Sequence, residues 1–80
     1  MYLHIGKECI LNNKELIGIF NIEVLKKSNS YDELLENIAE YVIDISCGNP
    51  KSLILVCKNN MNVAYISNIL SSTIGKRINN

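Results

Sequence analysis

Residues Leu53-Ile54-Leu55-Val56-Cys57 form the most hydrophobic run in the chain. A strand with one wet face alternates apolar and polar side chains, so an unbroken apolar run is a strand dry on both faces. Any fold that contains it must supply two covering layers. One is legible upstream. Tyr31, Leu34, Leu35, Ile38, Ala39 and Val42 fall at i, i+3, i+4, i+7, i+8 and i+11, the apolar stripe of an amphipathic helix. Asp32, Glu33, Glu36 and Glu40 take its other face, an acidic surface that repels phosphate and points away from any nucleic acid. This helix can cover one side of a sheet only. The terminal helix or a neighbouring subunit must cover the other, which argues for self-association.

The remaining elements follow in chain order. Tyr2-Leu3-His4-Ile5 reads as a short strand turned by Gly6-Lys7, and Cys9-Ile10-Leu11 as a second, closed by a hairpin turn at Asn12-Asn13. Glu15 to Ile22 is a third strand, in which Gly18 marks either a bulge or a packing glycine. Glu23 to Ser30 is a polar linker, and Ser30 with Glu33 fits a capping box for the helix. Val42 to Ser46 alternates as a strand; Gly48-Asn49-Pro50 is a turn short enough to make the strands on either side antiparallel neighbours. Lys58 to Asn62 turns the chain into a last strand through Ile66, and a short helix begins near Ser71 or Ser72 and runs to about Ile78. The fold class is α+β: a small, mainly antiparallel sheet of five or six short strands, one amphipathic helix and a short C-terminal helix, in a single domain over residues 1–80.

A chain of 80 residues has a thin core. Three cysteines, Cys9, Cys47 and Cys57, are an odd number without a secretory leader, so disulfides are not expected and a reducing cytoplasm is the simpler context. The cysteines lie in apolar runs, where thiols are buried and inert. A single histidine, His4, and no paired cysteine spacing argue against a metal, a cofactor or a catalytic constellation. No run reaches the length of a membrane span, and nothing points to a small-molecule substrate.

The net charge of zero hides a split. Residues 1–50 carry four lysines against eight acids, a net −4, whereas residues 51–80 carry Lys51, Lys58, Lys76 and Arg77 and no acid, a net +4. Such a segment binds a polyanion if the fold gathers its charges. Lys76 and Arg77 also suit the negative end of a helix, so capping and phosphate contact are both open to them. Tyr65 could stack on a base, although a strand tyrosine is more often a packing residue.

Gly48-Asn49-Pro50-Lys51-Ser52-Leu53-Ile54-Leu55-Val56 and the segment from Ser67 to Arg77 resemble the RemA/RemB family of bacterial extracellular-matrix regulatory proteins, RemB more than RemA. Met1-Tyr2-Leu3-His4-Ile5-Gly6 and Glu15-Leu16-Ile17-Gly18-Ile19-Phe20 resemble the family's opening blocks. The resemblance implies a ring-forming oligomer and, for the RemA branch, a DNA-binding transcriptional regulator of biofilm-matrix genes. A ring would multiply a weak basic patch into avidity. RemA-type proteins carry an arginine pair after the glycine matching Gly48 and a further arginine near the strand that matches Glu15 to Asn21. Here those places read Asn49-Pro50 and Glu15, and Lys14 and Lys51 are the nearest basic residues. The expected DNA-contacting set is therefore Lys14, Lys51, Lys58, Lys76 and Arg77. The alternative is a non-enzymatic assembly module that has lost DNA binding.

Overall fold

The computed structural model describes residues 2–78. Two seven-residue strands, β5 (Ser52–Lys58) and β6 (Met61–Ser67), form its centre. They pair antiparallel from Ser52↔Ser67 to Lys58↔Met61. The two-residue turn between them, Asn59-Asn60, takes φ of 52° and 64°, the left-handed pair that matches strand twist in a tight hairpin and that asparagine tolerates. Strand β3 (Leu16–Asn21) pairs antiparallel with β5, with a register shift between Leu16 and Gly18, so the bulge reading of Gly18 holds. Strand β4 (Tyr41–Asp44) lies on the far side of β6 and runs parallel to it, giving the order β3-β5-β6-β4.

That order corrects the expectation that the strands flanking Gly48-Asn49-Pro50 are neighbours. β6 is inserted between them. The connection over residues 45–51 bridges the end of β6, with Ile45 N–H bonded to the Ile66 carbonyl at 2.8 Å and Lys51 N–H to the Ser67 carbonyl at 2.8 Å. Two strand spacings are about 10 Å, well within the reach of seven residues.

Both faces of β5 are dry from Ser52 to Val56, Cys57 being exposed, and the chain supplies both covers. Leu53, Leu55, Ala64 and Ile66 pack under α1 (Ile22–Lys27) and α2 (Tyr31–Glu33), which continues as a π-helical turn over Leu34–Ile38. Ile54, Val56, Val63 and Tyr65 pack under a separate hairpin and the terminal helix α3 (Ser71–Ile78). The hairpin joins β1 (Tyr2–Gly6) to β2 (Cys9–Asn12) and contributes Leu3, Ile5 and Leu11 to the core. Ser67, fully buried, pins this layer: its hydroxyl donates to the Ile5 carbonyl and accepts from Ile69 N–H. The run at Leu53 to Cys57 thus needs no neighbouring subunit, and the sequence argument for self-association from that run loses its footing.

Four local expectations also fail. Asn12-Asn13 is not a hairpin turn; the Asn12 side chain accepts from Lys14 N–H and starts a 3-10 turn over Asn13–Glu15 that passes the chain to the other sheet. The capping box does not form, because Ser30 N–H is bonded to the Leu25 carbonyl and its hydroxyl to Ser28. The supposed linker after Glu23 contains α1, capped by the Asn21 side chain. The amphipathic helix ends at Ile38 instead of Val42, since Ala39 N–H closes on the Leu34 carbonyl five residues back. A π-turn inserts an extra residue into the helical phase. Leu34 stays buried while Ile38 is 45% exposed.

Candidate nucleic-acid interface

The five basic residues expected from the sequence do not form one cluster. Lys51 and Lys58 bracket β5 at opposite ends, about 20 Å apart at a strand's rise per residue. Lys14 lies at the Lys58 end, because Leu16 pairs with Val56 and the 3-10 turn touches β5. Lys76 and Arg77 occupy the last turn of α3, which packs against β1 and β3, and Arg77 Nη1 donates to the His4 carbonyl at 2.9 Å. Arg77 therefore laces the helix end to the hairpin while its side chain stays exposed. The Lys58 ammonium is 3.5 Å from the Tyr65 hydroxyl and sits 6.0 Å from the ring centroid. Tyr65 is buried in the core, so it is a packing residue and offers no face for base stacking.

What the fold does achieve is segregation of charge across the sheet. The hairpin side, with its connecting turn, carries Lys7, Lys14, Lys58, Lys76 and Arg77 against Glu8 and Glu15. The helical side carries Glu23, Asp32, Glu33, Glu36 and Glu40 against Lys26 and Lys27. Lys27 is paired with Glu23 at 3.3 Å, and Lys26 lies 5.1 Å from the Tyr31 ring centroid. Burial, helped by Asp44 and Asp32, pushes the Tyr31 phenol above its ordinary range.

The extracellular matrix regulatory protein B of Bacillus subtilis (strain 168) is 30% identical to this chain over 77 residues, which span 96% of this chain and 89% of the relative. The chain belongs to the RemB-like family of extracellular matrix regulatory proteins. No family profile matches it. The family resemblance stated from the sequence is borne out; the name of the relative speaks of regulation and carries no contact residues.

Asn49-Pro50, which the resemblance matches to the arginine pair of RemA-type proteins, lies in an exposed loop beside Lys51. Its backbone turns through Cys47 (φ 54°) and Gly48 (φ 83°), and nothing lies within 4 Å of a side chain added at Gly48. Sequence reasoning misses Lys7, which stands among the acids of the first fifty residues. The structure places it in the β1–β2 turn with φ 40°, near enough to Asp44 to help hold that carboxyl down. Gly6, beside Ser67 and Asn68, puts this turn at the Lys51 end of the sheet. Only the cross-strand register could have shown this.

Cys47 and Cys57 are exposed, contrary to the expectation that all three thiols are buried. Cys9 is half-buried; burial raises its thiol pKa, opposed by the nearby Lys58 charge. Two depressions lie on the helical side, about 310 Å³ lined by Lys26, Asn29, Tyr31 and Asp32, and about 380 Å³ lined by Phe20, Leu25, Ser30, Glu33, Leu34 and Ile38. Among the described residues no helix is long and apolar enough to cross a membrane.

Proposed function

We propose that the chain is a cytoplasmic, non-enzymatic DNA-binding regulator of biofilm-matrix genes that works as a homo-oligomer through phosphate-backbone contacts. The observation that supports this reading is the charge segregation: basic groups on the hairpin side, acidic groups on the helical side. One copy presents few contacts, spread over both ends of β5, so affinity comes from repetition of Lys14, Lys58, Lys76 and Arg77 around an assembly, with Lys51 and Lys7 at the opposite end of each subunit. Base readout is minor, since Tyr65 is buried and no arginine fork stands at Asn49-Pro50.

The test is duplex-DNA binding by fluorescence anisotropy across a salt series. The expected result is a linear log–log fall in affinity, with a slope of roughly 0.9 per neutralised phosphate. Flat or negligible binding at low salt overturns it. That outcome favours the second reading, an assembly module without DNA contacts, for which the apolar edge at Tyr41, Val42 and Ile43 speaks.

A further inference from the structure

The depression of about 380 Å³ on the helical side is lined chiefly by apolar side chains. Leu25 and Leu34, both buried, form its floor, and Phe20 and Ile38 its walls. The Phe20 ring is folded back along β3 over Gly18, where an added Cβ would stand 3.0 Å from it. Ile38 is set at the mouth by the π-turn. The bond from Ala39 N–H to the Leu34 carbonyl, at 3.0 Å, takes Ile38 off the stripe that buries Leu34 and leaves it 45% exposed. Single π-turns recur at functional sites, because they turn a side chain out of the helical phase. An aliphatic side chain held in water beside an apolar hollow is suited to cover by a partner's anchor.

Ser30 and Glu33 complete the lining, and none of the lining residues is basic. The surroundings are acidic: Asp32, Glu36 and Glu40 share the segment with Glu33. The cations on this side are engaged or set apart. Lys27 is paired with Glu23 at 3.3 Å, and Lys26 faces the Tyr31 ring at the neighbouring depression. Lys51 lies beyond the start of α1, where its carbonyl accepts from Ile22 N–H. Glu40 accepts from Asn62 N–H at 3.4 Å, whereas Glu33 and Glu36 are exposed and make no ion pair among the described residues. Such a surface repels phosphate, so neither nucleic acid nor an anionic membrane fits it. A second copy presenting the same acidic side is opposed likewise. The chemistry that fits is an apolar anchor flanked by cations.

We propose that this groove docks a basic amphipathic segment of a partner protein. The segment's bulky aliphatic anchor lies between Phe20 and Ile38, and its lysines or arginines meet Glu33 and Glu36. The groove is on the opposite face of the sheet from Lys14, Lys58, Lys76 and Arg77. The proposal therefore stands apart from the DNA reading, and a docked partner leaves the basic side free.

The test is fluorescence anisotropy of a labelled synthetic helical peptide with leucine at i and i+4 and lysine at its other exposed positions. Saturable binding to the native chain is expected, weakened about tenfold in Ile38→Ala by the loss of apolar contact at one wall. Glu33→Gln is expected to flatten the salt dependence of binding, as a neutralised rim charge does. Glu8→Gln, a change on the hairpin side, is expected to alter neither. Circular dichroism confirms that each variant keeps the fold. Absence of binding up to millimolar concentration overturns the assignment. So does equal binding of a peptide whose leucines are replaced by alanine, or an equal effect of Glu8→Gln and Glu33→Gln, since either means attraction by charge alone. Light scattering supplies the last outcome: an oligomer of the native chain that dissociates in Ile38→Ala gives the groove to a second copy and overturns the partner segment.

Discussion

Asp44 shows how one carboxylate can fix the exit of a strand. One oxygen accepts from the Ser46 hydroxyl at 2.6 Å and from Ser46 N–H at 2.8 Å. The chain thereby leaves β4 in the bend that carries it over the end of β6. The Ser46 hydroxyl, then its N–H, holds the Asp44 carboxyl below its ordinary value, with Lys7 assisting. A carboxyl whose folded pKa is depressed adds stability above its unfolded value, near 4, and that stability is lost as pH falls through the folded value. An NMR titration of the side-chain carboxyls is expected to give Asp44 a lower midpoint than an ordinary aspartate. In Ser46→Ala the midpoint is expected to rise, because the hydroxyl is the largest single cause. An Asp44 midpoint indifferent to that change would contradict the account. Ser46 is buried whereas Asp44 is exposed, a pairing of inner hydroxyl with outer carboxylate that spacing alone does not announce.

At the scale of the element, the helix after Tyr31 is the informative case. Its apolar stripe treats Leu34 and Ile38 as equivalent, one turn apart on one face. The π-turn separates them, with Leu34 buried against Leu53 and its neighbours and Ile38 left 45% exposed. Leu34→Ala is expected to cost about 2–5 kcal/mol, within the usual range for a buried leucine. Ile38→Ala is expected to cost less than about 1 kcal/mol, as an exposed substitution does. Urea denaturation of the two variants is the measurement; equal destabilisation would restore a regular helix over the whole stripe. The stripe does reveal the helix and the face it buries, because burial imposes a period on sequence. It conceals the helix end, because the phase shift comes from a backbone bond, Ala39 to Leu34, that no side chain signals. The central strands are legible for the same reason as the stripe, both faces being written in Leu53 to Val56 and Val63 to Ile66. Strand order is not legible. Gly48-Asn49-Pro50 marks a reversal between β4 and β5 but carries no sign of a third strand slotted between them. The hairpin at Tyr2 to Asn12 is legible as strands, yet its role as the second cover of β5 depends on contacts across the whole chain, such as Ser67 with Ile5.

For the whole molecule, the sheet acts as a partition between two electrostatic surfaces. The sequence splits its charge at residue 50, but the fold redraws the boundary. Lys7 and Lys14 cross to the basic side with the hairpin, and Lys51 is carried to one end, away from Lys58. The candidate interface is therefore legible as a set of residues and illegible as a surface, since its geometry comes from register and layering. The partition has a measurable consequence for the proposed DNA binding. Neutralising a hairpin-side group, Arg77→Gln or Lys58→Gln, is expected to lower duplex affinity and to reduce the salt slope by roughly 0.9 for each phosphate left without its basic partner. Glu36→Gln removes a charge of similar exposure from the helical side. At a separation beyond the Debye length of about 8 Å at physiological salt, its influence on bound phosphate is screened. It is expected to leave the slope unchanged. If Glu36→Gln steepened the slope as much as Arg77→Gln flattened it, DNA would be reading net charge alone, and the division of the molecule into a binding side and a shielded side would fail.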